Sequence, residues 1–378
     1  TEGYWTSESS EVEFDPRYAG HMYLGRENKI YKSTNEGAIF EALDNWGVNS
    51  VVYEIEVCRQ NPERLYTVVR TNGSARMHYS VDGGDSWTMS PIDPGNSGKM
   101  EISVDPANDD VVWGIEVNSS SVFKTTDGGT SWEDMYTPTL SGHQLREVIV
   151  QGGSDVVYIG TNTSVFYWDV DASDWIDIGA GLPARMDVLE MRIFYKDSKL
   201  RLCDKGKGIW ETSLVESSMP IAQPMALNNE VYCSRDTVQF DCYSILDHNG
   251  ASWAWSFDPQ PIHVSSTSVR NPKVVLGTDG EFTATLTVMD GNGNSSSNEI
   301  TVEVNSNCNV DTVPGMAMEC FGSGSDYAST PDFGLTTNNF TISAWVKPDG
   351  VQPDYTGIVM NNGSSGGINF RPGNMLAY

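Results

Sequence analysis

The 378-residue chain carries 51 acidic and 23 basic residues, a formal charge of −28. That field repels nucleic acid and anionic lipid, favours divalent cations and suits a solvated protein outside the cell, and no stretch has the apolar length of a membrane span. The length argues for two or three domains, and Thr1-Glu-Gly-Tyr-Trp5 lacks both the basic start and the apolar core of a signal peptide, so the chain reads as a mature product or a piece of a longer one.

The first half repeats itself. Ser80-Val-Asp82-Gly-Gly84-Asp-Ser-Trp87 returns as Thr125-Thr-Asp127-Gly-Gly129-Thr-Ser-Trp132, and Ser33-Thr-Asn35-Glu-Gly37-Ala-Ile-Phe40 is a weaker earlier copy. The closing aromatics stand at 40, 87 and 132, with Trp175 as a fourth after the polar part has decayed. A second element keeps step: Phe14-Asp15-Pro16, Gln60-Asn61-Pro62 and Val104-Asp105-Pro106, each followed by an apolar strand. One unit therefore reads strand, Asp/Asn-Pro turn, strand, loop, strand, glycine turn, strand. Four strands per roughly 45 residues is the blade of a β-propeller. In the turn, Asp or Asn bonds local amides, glycine permits positive φ and the aromatic anchors the hairpin in the apolar layer.

The phrase resembles the Asp-box, or BNR repeat, of sialidases, sortilin-like receptors, xyloglucan-cleaving propellers and secreted surface proteins of Bacteroidota. The resemblance implies that Ser33, Asn35, Gly37, Phe40, Ser80, Asp82, Gly84, Trp87, Thr125, Asp127, Gly129 and Trp132 are structural and peripheral, with recognition at the channel face. Four units and a closing strand around Gly208-Ile-Trp-Glu211, similar to the ending of such arrays, fill residues 1–215. So few units leave the ring incomplete, which points to blades missing at the N-terminus or to a partner that completes it.

Residues 216–230 read as a Pro-containing linker, and 231–305 as alternating strands. Trp253-Ala-Trp-Ser-Phe257, Asn271-Pro272 and the run from Gly280 to Val288 resemble a PKD domain, an Ig-like sandwich that usually serves as a spacer. Asp-Pro-Gln-Pro at 258–261 departs from that family's turn. Asp290, Asn292 and Asn294 alternate as in a Ca²⁺ loop, but no Glu completes an EF-hand, and a polar hairpin turn is the stronger reading. Ca²⁺ is the one cofactor the sequence admits. After a linker at 306–315, residues 316–378 resemble the opening of a laminin-G-like, concanavalin A-type jelly roll, chiefly through Asn339-Phe-Thr-Ile-Ser-Ala-Trp-Val-Lys-Pro348. The fold class is all-β: an incomplete propeller, a sandwich and a truncated jelly roll.

Six cysteines permit disulfides without fixing connectivity. Cys233 with Cys242 across a hairpin and Cys308 with Cys320 across a linker are the pairings that local sequence suggests. Thr237 and Thr312 each stand in an Asp-Thr-Val triplet that matches an O-glycosylation signal of Bacteroidota. Catalytic signatures are scarce. Arginines at 26, 70, 76, 146, 185 and 192 match no sialidase phrase, nothing singles out an acid–base pair of carboxylates, and the five histidines have no nucleophile spacing. The resemblances imply a non-catalytic extracellular or cell-surface protein for adhesion or for binding glycans or proteins, exported by a type IX-like route. Partners implied are glycans, surface proteins, secretion machinery or copies of itself, and no nucleic acid. A secreted glycoside hydrolase and a filament or coat subunit are the competing readings.

Overall fold

A computed structural model describes residues 10–305, apart from 93–98, 184–185, 232 and 235, together with three short strands between 357 and 377. The chain divides into two compact units, Thr1–Gly315 and Met316–Tyr378. The second unit shows one antiparallel sheet of Gly357–Met360, Gly367–Arg371 and Met375–Ala377.

The first unit begins with five antiparallel sheets in chain order. Blade 1 comprises Ser10–Phe14, Met22–Arg26, Lys29–Ser33 and Glu41–Asn45. Blade 2 comprises Ser50–Val57, Leu65–Thr71, Ser74–Ser80 and Thr88–Met89. Blade 3 comprises Met100–Asp105, Asn108–Glu116, Val122–Thr125 and Glu133–Asp134. Blade 4 comprises Leu145–Val150, Val157–Thr161, Val165–Asp169 and Asp174–Asp177. Blade 5 has three strands, Val188–Phe194, Lys199–Asp204 and Gly208–Ser213. Each sheet is a simple up-and-down meander, and the first strands of successive blades contact one another, which makes them the inner wall of a channel.

Alternation on the second strand builds the packing. Tyr23, Tyr66, Trp113 and Tyr158 recur at one register and are all buried. Each points forward, onto the following blade, and lies in the apolar core shared with it. The intervening positions face the preceding blade. Second strands of blades 2 and 4 are buried on both faces, with Leu65–Val69 and Val157–Thr161 continuously enclosed. Those of blades 1 and 5 alternate instead. Four inter-blade cores therefore exist among the described residues, and none joins blade 5 to blade 1.

The sandwich follows. One sheet holds Pro224–Ala226, Thr237–Cys242, Lys273–Val275 and His263–Val264, and the other holds Glu230–Val231, Ser295–Val304, Gly280–Met289 and Ser252–Asp258. Trp255, Phe257, Phe240 and Phe282 fill the space between them, with Trp255 and Phe257 stacked at 6.2 Å. Residues 216–230, read as a linker, instead contribute an edge strand at Pro224–Ala226 that pairs with Phe240–Cys242.

The sandwich is not held away from the blades. It rests on the turns that join first to second strands. In blade 1, Tyr18 Oη donates to the Thr301 carbonyl at 2.6 Å, while Ala19 N and Gly20 N donate to the carbonyls of Ala226 and Leu227. In blade 2, the Arg59 guanidinium donates to the Tyr243 carbonyl at 2.7 Å and lies 4.8 Å over that ring's centre. In blade 4, Met219 N donates to the Gly153 carbonyl at 2.7 Å. In blade 5, His248 N donates to the Lys196 carbonyl and Ser198 Oγ to Asp247 at 2.6 Å. A body that touches blades 1, 2, 4 and 5 through equivalent turns lies across that end of the channel.

Candidate functional site

The repeated turns come first, because the sequence singles them out. In blade 2, Ser80 Oγ donates to Asp82 at 2.7 Å and accepts from Gly84 N at 2.9 Å, while Asp82 accepts from Ser86 N and Ser86 Oγ. Thr125, Asp127, Gly129 and Ser131 repeat this set in blade 3. In blade 1, Ser33 Oγ donates to Asn35 and accepts from Gly37 N. Hydroxyl and amide donors drive the Asp82 carboxyl down to about 2 and hold Asp127 lower still. Gly84 and Gly129 have φ of +95° and +92°, and a Cβ there would press on Leu43 or Met77 of the neighbouring layers. Trp132 Nε1 donates to Ser90 Oγ at 2.8 Å, and Trp87 packs on Trp46 at 5.6 Å. Phe40, in the weakest copy, is partly exposed. Both oxygens of the two aspartates are consumed within the turn, so these turns fasten the third strand to the fourth. Thr125→Val would leave the buried Gly129 N without an acceptor and cost about 1–3 kcal/mol in denaturant unfolding; no change in unfolding midpoint would contradict that role.

The inner strands carry a second periodic feature, which lies outside the repeated phrase. On the inner strands, Glu11, Glu54, Glu101, Glu147 and Glu190 pair with Gly25, Val68, Ile115, Gly160 and Cys203 respectively. These are equivalent registers, one glutamate per blade. Glu54 accepts from Ile102 N at 2.8 Å and so links blade 2 to blade 3. Burial raises its carboxyl well above the ordinary range, and Glu101, Glu56 and Glu147 raise it further. Glu147 is raised well above that range too, by burial and then by Glu101 and Glu190, against Arg192 and Lys99. Lys99 pairs with Glu101, and its own desolvation is outweighed by Glu101, Glu54 and Glu147. Arg192 pairs with Glu190 at 2.7 Å with both side chains largely exposed, and its partial desolvation is outweighed by Glu190, Glu147, Glu13 and Glu56.

Glu54, Glu101, Glu147 and Glu190, from successive blades, and Arg192 thus lie close enough to perturb one another. Two carboxyls that keep their protons to unusually high pH, beside further carboxyls and two cations, can donate protons and bind polar or cationic groups. The sequence signal was present as glutamates at 54, 101, 147 and 190, close to the blade period.

The remaining expected sites divide. Asp290 accepts from Asn292 N, Asn294 N and Asn294 Nδ2, each at 2.9 Å, which makes a closed polar turn. Asp290 and Asn292 border a polar cavity of about 300 Å³ between the sandwich and blade 5, along with Tyr195, Ser198 and Asp247. Among the described residues, no group of His, Cys, Asp and Glu has the geometry of a metal site. Cys242 is a free, buried thiol, so the Cys233–Cys242 pairing is corrected. Cys233 follows the Glu230–Val231 strand of one sheet, whereas Cys242 ends a strand of the other. Cys233 is disulfide-bonded, and Cys308, Cys320 and Thr312 lie outside the described residues. Thr237 is exposed at the start of its strand.

Comparison with known proteins assigns part of this architecture. The PKD domain model matches residues 217–305, and that of the Concanavalin A-like lectin/glucanases superfamily matches 322–376. The chain thus carries two domains of extracellular type behind its blades. No curated protein matches it. Among solved structures, a GH74 enzyme from Niastella koreensis is similar at 14% identity and a TM-score of 0.44, covering 77% of this chain and 45% of the other. The GH74 xyloglucanase from Xanthomonas campestris gives 16% and 0.45, covering 76% and 44%. YCF48 from Cyanidioschyzon merolae gives 11% and 0.41, covering 61% and 78%. The chain spans less than half the length of those two GH74 structures. Among the described residues, no helix is long and apolar enough to cross a membrane.

Proposed function

We propose that the chain belongs to an extracellular, surface-associated protein that binds glycans or other surface proteins. The observation that supports this most is the pairing of a PKD domain with a lectin/glucanase-type segment behind blades whose conspicuous motif is consumed in turn hydrogen bonds. With the sandwich across one end of the channel, ligands meet the blades at the opposite end. Export by a type IX-like route fits the resemblance to Bacteroidota surface proteins.

A second reading, glycoside hydrolysis, is favoured by one observation: Glu54 and Glu147 keep their protons to unusually high pH in a channel with other carboxylates, as a general acid must. A glycan array together with a panel of fluorogenic glycosides tests both. Saturable glycan binding without turnover is the expected result. Turnover that Glu147→Gln abolishes would replace the binding reading with the hydrolytic one.

A further inference from the structure

The polar cavity of about 300 Å³ between blade 5 and the sandwich is walled by segments far apart in the chain. Blade 5 supplies Tyr195 and Ser198, from the turn that joins its first two strands. The stretch leading into the sandwich supplies Ser217. The sandwich supplies Asp247 and Asn249 from one turn and Asp290 and Asn292 from another. These walls are fastened to their surroundings. Ser198 Oγ donates to Asp247 at 2.6 Å, and Tyr195 Oη accepts from Gly152 N at 2.9 Å. The two sandwich turns meet backbone to backbone. A Cβ at Gly291 would stand 2.6 Å from the Asn249 carbonyl oxygen, and one at Gly250 would stand 3.1 Å from the Gly291 Cα. Glycine permits that approach, and the approach brings Asn249 and Asn292 to the same cavity.

The chemistry of the lining selects a ligand. It holds two aspartates and no basic or aliphatic side chain, which disfavours anions and apolar molecules. The aspartates are already engaged: Asp290 accepts from three donors in its own turn, and Asp247 accepts from Asn249 N and Ser198 Oγ. By contrast, the side chains of Asn249, Asn292 and Ser217 are exposed and make no hydrogen bond among the described residues. Each amide offers two donors and an acceptor, a match for neighbouring hydroxyls on a ligand. Tyr195 adds the one aromatic ring of the lining, an apolar surface for the C–H face of a pyranose. The volume falls at the small end of ligand pockets, which suits a single sugar ring better than a long segment.

We propose that this seam is a saccharide site that takes one neutral sugar residue with vicinal hydroxyls, oriented by Asn249 and Asn292 and shared between blade 5 and the sandwich. The proposal rests on the glycan-binding reading and gives it a second location, on the side of the blades that the sandwich covers.

The test uses the whole chain with a glycan array and with methyl glycosides of neutral hexoses and pentoses, all in EDTA. Saturable binding is expected. It becomes about tenfold weaker in the double variant Asn249→Ala with Asn292→Ala, as the loss of two hydrogen bonds requires, and it is abolished by Ser217→Trp, which fills the cavity. All three positions are exposed, so circular dichroism and the unfolding midpoint stay unchanged. Bound glycoside also slows exchange of the His248 amide, which the Lys196 carbonyl holds across the seam. Glycan binding that neither variant weakens would overturn the proposal and leave the general reading standing, whereas an array with no saturable binding would overturn both. Heat from calcium chloride alone that the asparagine substitutions remove would assign the cavity to a cation and overturn the proposal as well.

Discussion

Glu54→Gln raises stability at neutral pH, against the usual direction for a substitution in a packed interior. Burial, Glu101, Glu56 and Glu147 all act against the charged form of Glu54. A carboxyl whose pKa is raised by folding stabilises the native state while protonated. Its contribution is complete below the unfolded value, about 4.3, and is lost as pH rises through the higher folded value. The native chain therefore gains stability as pH falls from 8 toward 5. Glutamine keeps an oxygen to accept Ile102 N and removes the charge, so the gain at pH 7–8 is about 1–3 kcal/mol and shrinks toward pH 4. Glu147→Gln acts in the same direction, because burial, Glu101 and Glu190 raise that carboxyl too. Glu54→Leu separates charge from hydrogen bonding: it removes the same charge but orphans Ile102 N, which offsets the gain by about 1–3 kcal/mol. Denaturant midpoints measured from pH 4 to pH 8 check all three. A Glu54→Gln variant less stable than the native chain at pH 8 would show that the carboxylate is paired rather than repelled.

These glutamates also mark the limit of what could be read in the sequence. The turn at Ser80–Trp87 and its copy at Thr125–Trp132 are legible because their geometry is local: a hydroxyl, a carboxylate and two glycines within eight residues satisfy one another. Trp255 and Phe257 are legible for a similar reason, since strict alternation on one strand places both in a sandwich core. The channel has no such local signature. Its members are tens of residues apart, and equating them requires the pairing of each inner strand, which a β-bulge interrupts between Val52 and Glu54. The false pairing of Cys233 with Cys242 has the same origin: nine residues suggest one hairpin, yet the two positions belong to different sheets. Docking of the sandwich was hidden for a further reason. Tyr18, Arg59, Gly153 and Lys196 lie in turns of ordinary composition, and their partners are backbone carbonyls or amides, which leave no trace in side-chain pattern.

Gly153→Val is the substitution expected to test that docking most severely. Gly153 has φ of +74°, a conformation that costs a β-branched residue on the order of 1–3 kcal/mol. A Cβ there would also stand 2.2 Å from the Met219 carbonyl oxygen, a backbone atom that cannot swing aside. Relief requires Met219 to move away from blade 4, and residues 220–226 lead from it directly into the first strand of the sandwich. Gly142→Val supplies the comparison: its φ is +83° but nothing lies within 4 Å of its Cβ, so it carries the backbone strain alone. The expected outcome is a loss of about 1–2 kcal/mol for Gly142→Val and at least ~2 kcal/mol more for Gly153→Val. Hydrogen exchange locates the difference. If blades and sandwich act as one body, Gly153→Val releases the amides of Gly20 and His248 together, although they lie in blade 1 and in the sandwich, because each is protected by the same docked interface. Should only the amides around Gly153 exchange faster, each blade would hold the sandwich independently, and the closed end of the channel would yield one contact at a time.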